Sequence, residues 1–203
     1  MTPPPLPTPV EELRLETERL VLREYREDDW PAVLAYAADP EVLRYRASVP
    51  ATEAEVRDAL ARLQEQRRET PRTRYEFAVA LPDSDRVIGW LPLLLGRENQ
   101  DAEIGWTLAR AYWGRGYGTE AARAVLAFAF ETLELHRVWA RCQPENAASW
   151  RVMEKIGMRR EAHFVRSQRV RERWVDSFYY ALLAEEWWAA RRESVPVPQA
   201  LRV

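Results

Sequence analysis

Three of the chain's seven glycines fall within five residues, in the stretch "YWGRGYGTEA" at positions 112–121. Each glycine costs extra chain entropy on folding. Gly114, Gly116 and Gly118 therefore mark a place where the backbone has to turn sharply or stay bare. The preceding "DAEIGWTLA" reads as a strand, and beyond Thr119 and Glu120 the chain is apolar at helical spacing: Ala122, Val125, Leu126, Ala129 and Leu133. A strand ending at Leu108, a glycine loop and a helix opening at Thr119 bring unpaired N–H groups to the positive end of a helix dipole, which makes an anion site. The same pattern also suits a tight strand-to-helix turn that binds nothing. Two familiar nucleotide loops are excluded by spacing. The dinucleotide fingerprint needs a third glycine where Thr119 stands, and the phosphate loop of NTPases needs Gly-Lys-Ser/Thr, which is absent.

The remaining segments predict a mixed α/β chain. "ERLVLREY" at 18–25 alternates as a strand, and "DDWPAVLAYAADP" reads as a short helix stopped by proline. "TEAEVRDALARLQEQRRE" opens on a capping box, Thr52 with Glu55, and sets Val56, Leu60 and Leu63 on one helical face. "RYEFAVAL" and "VIGWLPLLL" read as a hairpin, "HRVWARCQP" as a strand of the fully buried type, and "NAASWRVMEKIG" as a short helix ending at Gly157. "RREAHFVRS" and "RWVDSFYYALL" form a closing antiparallel pair before a last short helix, "AEEWWAARR". The proline-rich residues 1–12 and the end "VPVPQALRV" read as extended tails around one domain.

At 203 residues and 47% hydrophobic, the chain suffices for a single core. A formal net charge of −2 supplies no global field for nucleic acid or an anionic membrane. The lone cysteine, Cys142, excludes an internal disulfide framework and fits a reducing cytoplasm. No apolar stretch approaches the roughly 18 residues of a spanning helix, and the N-terminus lacks the basic-then-apolar order of a signal peptide. The expectation is a cytoplasmic protein with neither nucleic acid nor membrane as partner.

The glycine loop resembles the pyrophosphate-binding loop of the GNAT superfamily of acyl-CoA-dependent N-acetyltransferases. More narrowly, the chain resembles the RimJ/RimL-type branch, whose founding members acetylate ribosomal-protein N-termini. The resemblance runs from "TERLVLREYREDDW" at 17–30 to "DSFYYALLAEEW" at 176–187, with "EIGWTLARAYWGRGYGTEA" and "NAASWRVMEKIGM" its most specific parts. It implies an α/β (α+β) GNAT fold: a strongly twisted, mostly antiparallel central sheet flanked by helices. The fourth and fifth strands, here about 101–108 and 135–143, would splay to form the acyl-CoA cleft. It implies one N-acetyltransferase domain over 13–193 between tails 1–12 and 194–203, with a homodimer as an admissible assembly. Acetyl-CoA would be the co-substrate, with no metal, and the acceptor an amine-bearing protein N-terminus or small molecule. The pantetheine arm would bond the strand around Thr107 and Leu108. The pyrophosphate would lie on the amides of Gly114, Arg115, Gly116, Tyr117, Gly118 and Thr119, and Asn146 would bond the pantetheine.

Two positions depart from the family pattern. Trp113 stands where the superfamily commonly has Gln or Arg, which backbone-based phosphate binding tolerates. Met153 stands where many members carry a tyrosine general acid, seven residues after Asn146. In the resembled branch Ser149 takes over, by hydrogen-bonding the leaving sulfur. A thiol with an ordinary pKa near 8.5 needs no stronger acid.

The attacking amine has to be neutral. A peptide α-amine with a pKa of about 7.7–8.0 is on the order of 10–20% neutral at pH 7, whereas a lysine side chain is neutral less than roughly 0.1% of the time. A carboxylate acting through water suffices for the former. Glu103 is the candidate, with an outward carboxylate paired to an arginine as the competing reading. Backbone N–H groups released by the splay would stabilise the oxyanion. Trp90, Trp106 and Trp174 are candidates to line the acceptor pocket. Asp176 could orient the amine or form a structural ion pair. His136 and His163 stand apart with no ligand cluster, and Cys142 reads as packing before nucleophile. A non-catalytic CoA-binding sensor or scaffold is the alternative to an enzyme.

Overall fold

The structure is a computed structural model that describes residues 13–46, 52–96 and 100–194, so both expected tails, up to Ser194, lie outside the described residues. The first expected strand is shorter than its alternation suggests. A bend at Glu18–Arg19 separates β1 (Arg14–Glu16) from β2 (Val21–Glu24). Arg23, 1% exposed, anchors β2 by donating to both carboxylate oxygens of Asp29 at 2.8 Å and to Asp85 at 2.8 Å. The expected helix over 28–40 is two: α1 (Trp30–Ala37) and α2 (Pro40–Leu43). Pro40 stops the first and opens the second, where its missing N–H costs nothing, and Asp39 caps α2 by accepting from Glu41 N. α3 (Glu53–Gln66) starts on the expected reciprocal capping box of Thr52 and Glu55.

The hairpin forms as β3 (Arg74–Ala80) and β4 (Val87–Leu95). The next expected strand breaks in two, β5 (Asp101–Ile104) and β6 (Thr107–Leu108). Pro92 is the physical reason. Opposite it, Gly105 N donates to Pro92 O at 3.1 Å, but proline has no N–H with which to complete the exchange. After the glycine loop, α4 (Tyr117–Ala127) opens two residues earlier than expected and ends in a π turn over Phe128–Thr132. β7 (Arg137–Cys142) alternates and is not buried throughout: Val138 and Ala140 are in the core, whereas Trp139 and Arg141 face the other way. α5 (Ala147–Lys155), β8 (Arg159–Val170), β9 (Arg173–Leu183) and α6 (Ala184–Ser194) complete the chain.

The nine strands among the described residues make one mixed sheet in the order β1-β2-β3-β4-β5-β7-β9-β8, with β6 on β4 alone. Every pairing is antiparallel except β5 with β7. Helices cover both faces. Ala102, Ile104, Val138 and Ala140 pack with Ala122, Val125 and Leu126 of α4 and Met153 of α5. On the other side Ala78 and Val87 pack with Tyr36, Val56 and Leu60 of α1 and α3. The face of β5, β7 and β9 beside α1–α3 carries Glu103, Trp139, Arg141 and Tyr179 and stays partly open.

Candidate active site

The glycine loop has backbone conformations that only glycine takes freely. Gly114 and Gly116 have φ of +73° and +81°. Gly116 caps α4 without a side-chain bond, and the first backbone bond into the helix runs from Glu120 N to Gly116 O at 3.0 Å. Trp113 N is the last satisfied donor before the loop, at 3.1 Å from Arg110 O. Between these two, the N–H groups of residues 114–119 have no partner among the described residues. A Cβ on Gly114 would meet nothing within 4 Å, so the loop is open on that side. On Gly118 a Cβ would lie 3.7 Å from Leu108 and 3.8 Å from Val152, between β6 and α5.

Glu120 fastens this loop to the chain ahead of β2. Its carboxylate accepts from Thr17 Oγ1 at 2.7 Å, Arg19 N at 2.9 Å and Arg19 Nε at 2.7 Å. Arg19 Nη1 also donates to Arg115 O at 3.1 Å. Partial burial works against the charged carboxylate, but the bonds from Thr17 and Arg19 outweigh it and hold Glu120 below the usual carboxylate range. An open groove of about 700 Å³ continues from the loop past Arg19, Thr119, Arg123 and Lys155. Sequence reasoning missed Thr17, Arg19 and Glu120, since a glutamate in a helix's first turn is an ordinary sight.

The expected splay is present in the pairing. β5 and β7 pair in parallel only over Asp101–Glu103 and Arg137–Trp139, after which β6 stays with β4 and β7 runs on to Cys142. Gly89 permits this course, because a Cβ there would stand 2.4 Å from Thr107 O. The open edge of β6 thus carries Thr107 and Leu108 into the gap. Two of their polar atoms already have partners: Thr107 Oγ1 accepts from Arg46 at 2.7 Å, and Leu108 O accepts from Trp113 Nε1 at 2.7 Å.

Across the gap, Asn146 caps α5, its Oδ1 accepting from Ser149 N at 3.2 Å. That gives Asn146 a folding role which sequence reasoning did not assign, while its Nδ2 has no partner among the described residues. Ser149, in the first turn of α5, has its side chain beside the Cys142 thiol. Burial pushes that thiol up to about 11, only partly offset by its bonds from Ser149 and the Trp150 amide. Cys142 is therefore a neutral thiol beside Ser149 at the start of α5. Met153 is 1% exposed and belongs to the core.

Glu103 is held by Arg141, whose Nε donates to Oε1 at 2.9 Å. Oε2 has no partner among the described residues. Arg141 is fixed in turn by Tyr179 Oη at 3.4 Å and by the amide oxygen of Gln168 at 2.6 and 3.1 Å. Above them, residues 43–46 cross from one wall of the gap to the other. Tyr45 Oη donates to Glu145 O at 3.1 Å, Tyr45 O accepts from Gln143 at 3.4 Å, and Leu43 O accepts from Arg171 at 3.4 Å. The three tryptophans do not converge: Trp90 packs with the α1–α3 cluster, Trp106 with the main core, and Trp174 is 62% exposed on the β8–β9 hairpin. Asp176 is occupied, by His163 at 2.7 Å and Arg166 N at 2.9 Å. Among the described residues no three His, Cys, Asp or Glu side chains gather as a metal site.

A glycine loop of unpaired amides at a helix start lies beside two strands that part, an anion site next to an open cleft. Residues 19–159 match the family described as Acetyltransferase (GNAT) domain, and the chain belongs to that family. The N-acetyltransferase YnaD of Bacillus subtilis (strain 168), itself uncharacterized, is 39% identical over 175 residues, covering 86% of this chain and 99% of that protein. The putative ribosomal N-acetyltransferase YdaF of the same organism is 38% identical over 93 residues, 46% of this chain and 51% of its own. The crystal structure of a GNAT-family acetyltransferase from Bacillus anthracis superposes with a TM-score of 0.76 at 35% identity, over 85% of this chain and 99% of that one. The fold is the GNAT fold and the protein is an acetyltransferase.

Proposed function

We propose that the protein moves the acetyl group of acetyl-CoA to a primary amine, either a protein N-terminal α-amine or a small-molecule amine. The observation that carries this reading is the run of unpartnered N–H groups over residues 114–119, at the start of α4 and open on the Gly114 side. Such a run fits the pyrophosphate of CoA. Gly114, Arg115, Gly116, Tyr117, Gly118 and Thr119 would hold it, with the edge of β6 at Thr107 and Leu108 and the Asn146 amide along the pantetheine. The thioester supplies an activated acyl group.

The chain's own residues do the rest. Ser149, in the first turn of α5, donates a hydrogen bond at the sulfur end of the cleft. Glu103 Oε2 takes the amine proton, directly or through one water, while Arg141 keeps the carboxylate in place. An α-amine suits this arrangement, since it needs little help to lose its proton. Similarity to a putative ribosomal N-acetyltransferase over about half the chain supports the RimJ/RimL-type branch. No helix of the described residues is long and apolar enough to cross a membrane, and the single cysteine supports a cytoplasmic setting.

The test is a thiol-release assay with acetyl-CoA against a panel of N-terminal peptides and small amines. Amine-dependent CoA release, with the acetylated product seen by mass spectrometry, is the expected result. Tight CoA binding without turnover on any amine would instead mark a sensor or scaffold.

A further inference from the structure

Arg46 lies beside β6 at the gap and has no ion-pair partner among the described residues. Its Nη1 donates to Thr107 Oγ1 at 2.7 Å, and its guanidinium carbon stands 4.5 Å from the centroid of the Trp90 ring. Trp90 and Thr107 are register partners on β4 and β6, so the guanidinium sits where β6 continues on β4 beyond the β5–β7 pairing. Among the described residues no carboxylate is within ion-pair distance of it, and Nε and Nη2 donate to nothing. Glu76, the nearby acid, is engaged by Arg74 at 2.9 Å and by Trp90 Nε1 at 2.6 Å. Residues 47–51, "ASVPA", contain no acid.

Other arginines withdrawn from solvent in this protein are paired: Arg23 holds Asp29 and Asp85, and Arg72 holds Glu24 at 2.7 Å. On the acceptor face itself, Arg141 is already balanced by Glu103. Sheltering an unpaired charge is costly, and burial does push Arg46 below the usual arginine value. A guanidinium stacked on an indole keeps its edge N–H groups free to grip a carboxylate side-on.

We propose that Arg46 reads a carboxylate on the acceptor, so that the substrate is a carboxylate-bearing primary amine. The proposal rests on the acetyl-transfer reading and narrows its acceptor. Trp90 fixes the plane of the fork, Thr107 ties it to β6, and Nε with Nη2 face the substrate.

The experiment uses the full chain with acetyl-CoA and matched acceptors. Peptides beginning Ser-Glu or Ser-Asp are compared with Ser-Gln or Ser-Asn, and free amino acids with their amides, which separates an acidic side chain from a free α-carboxylate. In at least one arm kcat/KM for the acid is expected to exceed its neutral partner by about tenfold or more. Arg46→Gln should abolish that difference by raising KM for the acid far more than for its neutral partner. Arg46→Lys should retain part of it, and melting curves check that both variants fold. Equal use of acids and neutral partners by the wild type overturns the proposal, as does an equal loss on every acceptor in Arg46→Gln. Calorimetric binding of the N-acetylated peptide pairs to the CoA-loaded protein gives a readout that needs no turnover. Arg46-dependent preference there without any acetylation would sink the transfer reading and leave this one standing. Turnover without preference would do the reverse.

Discussion

Arg19 and Glu120 meet at 2.5 Å, joining the chain ahead of β2 to the first turn of α4. Because Arg19 also donates to Arg115 O, the pair sets the position of the glycine loop relative to the sheet. Glu120→Gln keeps the shape but loses the charge, and about a fivefold weaker affinity for CoA is expected, from a loop held less firmly. The pH dependence has a definite sign. Glu120 is held below its ordinary value of 4.5 in the folded protein, so its contribution to stability is complete above that pH and is lost as pH falls through the folded-state pKa. Denaturant melts should show a constant gap between wild type and Glu120→Gln from pH 6 to 8 that closes on acidification below about 4.5. A gap unchanged into acid would separate Glu120 from this charge-dependent role.

The three glycines should respond differently to substitution. Gly116→Val forces a β-branched residue to a φ of +81°, so it should lose both stability and CoA binding. Gly118→Ala is the cleaner probe. Its φ is helical, and its Cβ would make ordinary contacts with Leu108 and Val152, the two walls of the cleft. Folding should be unchanged or gain up to about 1 kcal/mol, while CoA affinity falls by about tenfold, roughly 1.4 kcal/mol, because the methyl group enters the ligand's path. Arg115→Ala, which leaves the loop amides in place, should cost less. Calorimetric titration finding full CoA affinity in Gly118→Ala would place the ligand elsewhere.

Ser149→Ala should lower turnover about tenfold or more with little change in KM for acetyl-CoA, since its bond strengthens only as charge develops on sulfur. A normal kcat in Ser149→Ala would return the leaving-group role to solvent.

How far the fold was legible in the sequence differs from element to element. Two neighbouring apolar runs read as a hairpin located β3 and β4, and the Thr52–Glu55 box located the start of α3, because those signals are local. The break between β5 and β6 was not legible, since it depends on Pro92 lying opposite Gly105, a pairing fixed only by register across strands. Gly89 was likewise silent: its lack of a Cβ matters because Thr107 O comes to 2.4 Å of where one would be. At the site, the glycine spacing marked the loop of unpaired amides. The partners that decide what side chains do were hidden by sequence distance, as with Arg46 on Thr107 and Arg141 on Glu103. Three tryptophans that looked alike as pocket candidates separated once each was assigned to its own part of the sheet.

Glu103 is the sharpest remaining case, because its two oxygens have different surroundings. Oε1 is taken by Arg141, and Oε2 has no partner among the described residues. Glu103→Gln keeps an oxygen for Arg141, so the geometry should survive while the capacity to take a proton is lost. If Glu103 receives the amine proton, kcat/KM should fall by about 10²-fold or more near neutral pH, where most of the acceptor is ammonium. The loss should shrink as pH rises through the acceptor's own pKa, because solvent has by then removed the proton. If Glu103 only anchors a cationic amine, the mutant should show a raised acceptor KM wherever the amine is charged, with kcat preserved. A pH–rate profile parallel to wild type with unaltered KM would leave Glu103 as the counter-ion of Arg141 alone.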